Sequence, residues 1–273
     1  MLRRIVHEDV LYVYDQEQAF FWQNLFHYSH YITDIPESGA LVHSGCMLKS
    51  VKMVKTTSTG AVNAHLVEAL RERLSRRLRV LWLVSGGSAI AVAVAVRQQL
   101  GDCAGLAGLS VGLVDERYGA VGHQNSNWQQ LRAAGFELAG IQPLPVLAGK
   151  SFAATVDDYE AALAAAMSAS DYRLGLFGIG VDGHTAGILP DSPAVTSDQL
   201  VCGYQGPDYQ RITVTPALIT TLDEAVACAF GLAKKPALTK LLAGTAVRSE
   251  QPAQVLCQVP VSIVYNDQLG ESE

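Results

Sequence analysis

The 273-residue chain is 49% hydrophobic and 17% charged, which supplies a sizeable core and excludes a disordered polymer. Its formal net charge of −6 leaves no basic surface for a polyanion and argues against nucleic acid as a partner. The five cysteines, Cys46, Cys103, Cys202, Cys228 and Cys257, are odd in number and lack short paired spacing, so neither a disulfide framework nor a metal site is expected and a reducing cytoplasm follows.

Residues 1–50 form an extension distinct from the rest. Arg3 and Arg4 precede Ile5 to Tyr14, but His7, Glu8 and Asp9 interrupt the apolar stretch, so no secretion signal is expected. Aromatic residues such as Tyr12, Phe20, Phe21, Trp22 and Tyr28 are dense here, and Gln16 to Tyr28 reads as a helix. That density suits packing against the main domain, or a dimer contact, which leaves monomer and homodimer both open.

From Val51 to the end, residues 51–273, the chain reads as one α/β domain. Val51 to Lys55 is expected to be a strand. Ala61 to Arg77 follows as a helix with Leu66, Ala69, Leu70 and Leu74 on one face. Val80 to Val96 is nearly uncharged between Arg79 and Arg97 and approaches the length of a membrane span. Ser85-Gly86-Gly87-Ser88 divides it into a β-branched and aromatic half and an alanine-rich half, so a buried strand, a turn and a buried helix explain it without a membrane.

Leu109 to Val114 is the third strand, followed by a polar loop from Asp115 to Gln124 and a helix from Trp128 capped by Ser126 or Asn127. Leu144 to Leu147 reads as a short strand. Thr155 to Met167 reads as a helix led by Asp157 and Asp158, acids that favour a helix N-terminus. Leu174 to Ile179 is a buried strand ending in Gly180, Asp182, Gly183 and His184. Arg211 to Thr215, Ala225 to Leu232 and Val261 to Tyr265 complete the strands, with a helix over Pro236 to Leu242. This alternation implies a mainly parallel open sheet covered by helices on both faces, a Rossmann-like architecture. Ser85, Asp115 and Gly180 each follow directly on a hydrophobic strand, so their loops share the sheet edge where ligands bind.

The chemistry of these loops is legible residue by residue. Ser85 to Ser88 offers two hydroxyls and the free N–H groups of a helix start, a ready phosphate site. Asp115-Glu116-Arg117 is a solvated ion-pair loop or a site in which Arg117 forks onto phosphate or carboxylate oxygens. His184, two residues from Asp182, has the near-neutral imidazole that suits a general base. Two other patterns are decoys. Gly178-Ile-Gly-Val-Asp-Gly183 fits a dinucleotide fingerprint, but Pro190 follows too soon for a crossover helix. Gly108-Leu-Ser-Val-Gly112 places Ser110 at the start of a strand, away from any strand-to-helix elbow.

Gly178 to Pro190, Ser85 to Ser88, and Asp115 to Arg117 with Ser126-Asn127 occur in an order and spacing that resembles the 6-phosphogluconolactonases, relatives of the glucosamine-6-phosphate deaminases. The similarity covers roughly residues 51 to 267. It implies hydrolysis of 6-phospho-D-glucono-1,5-lactone in the pentose phosphate pathway, with the phosphosugar lactone as the binding partner and no cofactor. On this resemblance His184 takes a proton from water while Asp182 orients or charges the imidazole. Ser85, Gly86, Gly87, Ser88, Arg117, Arg211 and Lys234 lie at the substrate, with Lys235 leaving a one-residue ambiguity at the cation. Asp115 either binds sugar hydroxyls or orients Arg117, with Glu116 between them in the same substrate loop. Two departures stand out. Ala89-Ile90 replaces the family's Thr-Pro, and Leu189 occupies the position where the deaminases carry a glutamate. Leu189 cannot transfer a proton, which sets the deaminase/isomerase reading below the lactonase one. A phosphosugar-binding module without catalysis is the alternative from another class.

Overall fold

A computed structural model describes residues 51–270, together with the backbone of two short strands, β1 (Arg3–His7) and β2 (Val10–Tyr14). Contacts divide the chain into Met1–Met47 and Leu48–Glu273. In the first unit β1 and β2 pair antiparallel, with His7 opposite Val10. The helix expected over Gln16 to Tyr28 lies outside the described residues.

The second unit is built on seven parallel strands. In chain order they are β3 (Lys52–Lys55), β4 (Val80–Val84), β5 (Leu109–Leu113), β7 (Gln142–Pro143), β8 (Tyr172–Gly178), β11 (Glu224–Ala229) and β12 (Val261–Asn266). Their order in space is β3-β12-β11-β8-β4-β5-β7, and every pairing is parallel. The run Val-Leu-Trp-Leu-Val of β4 is buried at every position, as a central strand covered on both faces must be.

The helices that cover this sheet are α1 (Gly60–Ser75), α2 (Ala89–Leu100), α3 (Asn127–Ala133), α4 (Phe152–Ala169), α5 (Pro216–Ile219) and α6 (Lys235–Ala243). The chain steps from β3 to β4, β5 and β7 in one direction, then returns through β8, β11 and β12 in the other. Right-handed crossovers therefore put α1 to α3 on one face and α4 and α6 on the other. The reversal falls between neighbouring β4 and β8, and in open α/β sheets ligands bind at the carboxyl ends of the strands where the order reverses.

The uncharged run from Val80 resolves into β4, a turn and α2, and no helix among the described residues is long and apolar enough to cross a membrane. Its far bracket, Arg97, is buried inside α2. Its guanidinium donates to the carbonyls of Glu137 at 2.9 Å, Gly101 at 3.0 Å and Ala139 at 2.7 Å. The three charge-assisted bonds compensate the loss of hydration, and the two to Glu137 and Ala139 pin α2 to the segment that follows α3.

Several expectations are corrected. Helix α4 begins at Phe152, capped by Ser151, whose hydroxyl accepts from Ala154 N–H at 3.4 Å. Asp157 and Asp158 thus fall in its second turn, and Asp158 pairs with Lys150 at 2.5 Å. The short edge strand is Gln142–Pro143, two residues ahead of the expected Leu144 start.

The larger correction is a second sheet. Asp115–Arg117, expected as loop, is strand β6; it pairs antiparallel with β10 (Gln210–Val214), which pairs antiparallel with β9 (Val201–Gln205). This three-stranded sheet grows from the carboxyl end of β5, where Val114 N–H reaches Val84 C=O at 3.0 Å and Val114 C=O accepts from Val214 at 2.8 Å. Gly203 lets β9 approach α4, since a Cβ there would sit 2.4 Å from Val156.

Candidate active site

The loop after β8 folds back on itself before any helix forms. Thr185 bridges both Ile179 and Ile188, its hydroxyl donates to Gly178 C=O at 2.9 Å, and Gly180 N–H donates to His184 C=O at 2.8 Å. This tight return sets the His184 and Asp182 side chains against Gly180. A Cβ at 180 would lie 2.1 Å from His184 Nδ1 and 2.3 Å from Asp182 Oδ1, so only glycine fits. Gly183, at φ +82°, completes the turn.

His184 Nδ1 lies 2.6 Å from Asp182 Oδ1, and the same oxygen accepts the His184 backbone N–H at 3.2 Å. A carboxylate only accepts, so Nδ1 carries the proton of this bond and Nε2 is left as the basic nitrogen. Burial alone would raise the Asp182 pKa. The backbone N–H, charge and ring bond of His184 outweigh it and hold the carboxyl below the ordinary carboxylate range. The two side chains remain 39% and 46% exposed, open to a substrate.

Asp115 stands at the start of β6, buried, and its carboxylate makes no hydrogen bond among the described residues. Burial, then the neighbouring charge of Glu116, pushes its pKa up to about 6, while Arg211, Arg117 and His184 pull it back. A buried carboxyl under the influence of three separate segments marks where those segments converge. Contacts say the same. A Cβ on Gly187, in the histidine loop, would lie 3.0 Å from the Asp115 Cβ and 2.9 Å from the Thr213 Cβ.

Arg117 and Arg211 are partners in the β6–β10 register, so their side chains leave the sheet on the same face a few ångströms apart. Arg117 donates to Asn125 C=O at 3.2 Å and lies over the Tyr209 ring at 5.4 Å. The Nε atoms of both arginines are buried without a hydrogen-bond partner among the described residues. Like charges set opposite one another are unfavourable unless an anion lies between them.

Glu116 points to the other face of β6 and is fully buried. Its carboxylate accepts from Arg117 N–H and Asn127 N–H at 2.7 Å, from Ser126 Oγ at 2.8 Å and from Trp128 N–H at 3.1 Å. Those four bonds occupy it, which reassigns Glu116 from substrate contact to support of the strand and of the start of α3. The N-cap of that helix is Ser126, whose hydroxyl accepts from Gln129 N–H at 3.1 Å.

Asn127 ties the first motif to the second. Its Nδ2 donates to Asp115 C=O at 2.9 Å, and its amide lies over Gly86, where a Cβ would come within 2.2 Å of Asn127 Oδ1. Ser85 is buried and its N–H joins β8 through Leu176 C=O at 3.0 Å. Gly87, at φ +60°, faces open space, and Ser88 stands at the N-cap of α2 without a side-chain cap bond. The turn spends Ala89 N–H on Gly86 C=O and Ile90 N–H on Gly87 C=O, while the Gly86, Gly87 and Ser88 N–H groups have no backbone acceptor among the described residues.

Lys234 closes a short turn after β11, the strand beside β8. It is partly exposed and makes no ion pair among the described residues. Lys235 is more exposed and begins α6. The structure brings His184, Asp182, Asp115, Arg117, Arg211 and the Ser85–Ser88 loop together; Lys234 shares only their sheet edge.

Sequence reading missed Tyr204 and Thr213, whose hydroxyls hold the histidine loop. The available signal was the turn Gly206-Pro207-Asp208 between two short runs with β character. Gly203 within β9 obscured it.

The chain matches a family model described as glucosamine-6-phosphate isomerases/6-phosphogluconolactonase over residues 55–266. A 6-phosphogluconolactonase from Synechocystis sp. is 31% identical over 52% of this chain and 63% of its own length. The human GDH/6PGL endoplasmic bifunctional protein is 30% identical over 64% of this chain and 24% of its own. The match thus spans less than two thirds of each relative. Crystal structures of 6-phosphogluconolactonases agree in fold. That from Shewanella baltica superposes with a TM-score of 0.67 at 18% identity, covering 81% of this chain and 99% of that one. That from Thermotoga maritima gives 0.65 at 19% identity, covering 80% and 98%.

Proposed function

Since the chain belongs to the glucosamine-6-phosphate isomerase/6-phosphogluconolactonase family, we propose that it hydrolyses 6-phospho-D-glucono-1,5-lactone to 6-phosphogluconate, the lactone step of the pentose phosphate pathway. The observation that carries the reading is a histidine–aspartate pair and two facing arginines converging on Asp115. A base at one end and a cation pair at the other suit a lactone that carries a phosphate.

The phosphate lies between Arg117 and Arg211, with Gly87 and Ser88 N–H groups and Lys234 as further donors at the same edge. His184 Nε2 takes a proton from water as the oxygen attacks the lactone carbonyl carbon. Asp182, held on Nδ1, stabilises the imidazolium that forms. The tetrahedral intermediate collapses with cleavage of the bond to the ring oxygen. That oxygen recovers the proton from Nε2, which leaves the free base and 6-phosphogluconic acid, whose carboxyl releases its proton to solvent as 6-phosphogluconate. Asp115 faces the sugar or sets the arginines; either role follows from its place two residues before Arg117 in β6, opposite Thr213.

Leu189 supports hydrolysis over deamination, because that position offers no proton-transfer group. Cys103, Cys202, Cys228 and Cys257 form no disulfide among the described residues, which supports a reducing cytoplasm. The test is turnover of freshly generated 6-phosphogluconolactone above its spontaneous hydrolysis. Binding of 6-phosphogluconate without acceleration would replace this reading with a phosphosugar-binding module.

A further inference from the structure

Gly187, three residues beyond His184, is held at both of its backbone groups by side chains of the three-stranded sheet. Its N–H donates to Thr213 Oγ1 at 2.9 Å, and its C=O accepts from the Tyr204 hydroxyl at 2.5 Å. The same hydroxyl accepts from Leu189 N–H at 3.4 Å. Thr213 is fully buried and Tyr204 is 7% exposed, so water does not substitute for these bonds. The Thr213 hydroxyl has its own acceptor in Val214 C=O at 2.9 Å, which orients its lone pairs toward Gly187.

The clamp sits where the loop needs one. Ala186 holds φ +50°, a left-handed conformation that a residue with a Cβ keeps only when its surroundings over-determine it. Thr213 and Tyr204 over-determine it from two different strands. Tyr204 lies directly opposite Arg211 in the β9–β10 register, and Thr213 follows two residues after Arg211 on the same face. One face of one small sheet therefore carries the facing arginines and the two hydroxyls that fix the histidine loop.

We infer that Tyr204 and Thr213 are positioning residues, which set the distance between His184 and the cation pair by pinning Gly187 to the sheet that bears Arg117 and Arg211. The inference rests on the lactonase reading above. Neither hydroxyl need touch the substrate, since both are occupied by backbone groups. A misplacement of the base of about an ångström costs on the order of a hundredfold in rate.

Tyr204→Phe removes the hydroxyl's bonds to Gly187 and Leu189, and Thr213→Val removes those to Gly187 and Val214, with little change of volume, while Thr213→Ser keeps the oxygen. Kinetics on 6-phosphogluconolactone are measured for all three, for the parent and for His184→Ala, with 6-phosphogluconate binding by calorimetry alongside. The expected result is a kcat about tenfold or more lower in Tyr204→Phe and Thr213→Val, with KM within about twofold of the parent. Thr213→Ser stays near the parent, and product binds all variants with full stoichiometry. A kcat near that of the parent in both oxygen-deleted variants overturns the inference. So does a raised KM at unchanged kcat, which would make the hydroxyls substrate contacts. A loss matched by reduced binding stoichiometry also overturns it, since the residues would then serve only the fold. If the parent gives no acceleration, the lactonase reading itself falls and takes this inference with it; if the parent turns over and His184→Ala matches it, the lactonase reading stands, but the inference falls because His184 is then not the base that these hydroxyls position.

Discussion

Arg211 lies directly opposite Arg117 across the β6–β10 strand pair, and neither Nε has a hydrogen-bond partner among the described residues. Two cations held side by side repel each other; the Asp115 carboxyl beside them offsets part of that cost, and a dianionic phosphate would offset the rest. The arrangement explains why the residue pair is placed on a strand pair and not on loops: the ladder fixes their spacing before substrate arrives.

Arg211→Ala should therefore raise the KM for 6-phosphogluconolactone by about ten- to a hundredfold, the value of one charge-assisted hydrogen bond. Unphosphorylated gluconolactone should lose far less, which steady-state kinetics on both substrates will show. Equal losses would assign Arg211 to the fold or the chemistry.

His184→Ala should lower kcat by about a hundred- to ten-thousandfold, the usual contribution of a general base. Its affinity for 6-phosphogluconate should change little, because the phosphate is held elsewhere. Calorimetric binding together with stopped-flow turnover separates the two effects. Retained turnover in a folded variant would remove His184 from the mechanism.

Asp115 makes stability depend on pH in a direction opposite to that of a salt-bridged acid. Its folded pKa, about 6, exceeds the ordinary 3.8 because of burial and then the Glu116 charge. Between these pH values the folded chain keeps a proton that the unfolded chain releases, so this group makes folding less favourable as pH rises through the window. The cost is complete above pH 6 and amounts to about 3 kcal/mol. Asp115→Asn should then stabilise the protein by about 1–3 kcal/mol at pH 7.5 and by little at pH 4, while impairing activity. Urea unfolding at the two pH values checks the sign; equal offsets at both would contradict it.

Glu116→Gln should destabilise the protein by about 2–4 kcal/mol, because an amide replaces a buried carboxylate that accepts four hydrogen bonds. Denaturant midpoints at constant slope measure this. A variant of parental stability with a raised KM would return Glu116 to the substrate site.

Much of the organisation was legible because local pattern encodes it. Continuous apolar runs such as Val80–Val84 announced buried strands, and the alanine-rich segment from Ala89 announced a covered helix. The abrupt change from Phe177 to glycines, Asp182 and His184 marked a strand end bearing polar chemistry. These signals are short in range: they depend on which residues neighbour each other along the chain, and they placed the three loops at one sheet edge.

The small antiparallel sheet was not legible. Asp-Glu-Arg has no apolar alternation, and it becomes a strand only because β10, nearly a hundred residues later in the chain, supplies the hydrogen-bonding partner. The same is true of the roles within it. Glu116 and Arg117 look alike as exposed charges in sequence, but the pleat turns one toward the N–H groups of Asn127 and Trp128 and the other toward Arg211. The sequence by itself determined which segments carry strand ends, glycine turns and titratable groups, because those follow from side-chain type and local periodicity. Only the tertiary structure decided which charge faces which, since cross-strand register and burial arise from partners far away in the chain.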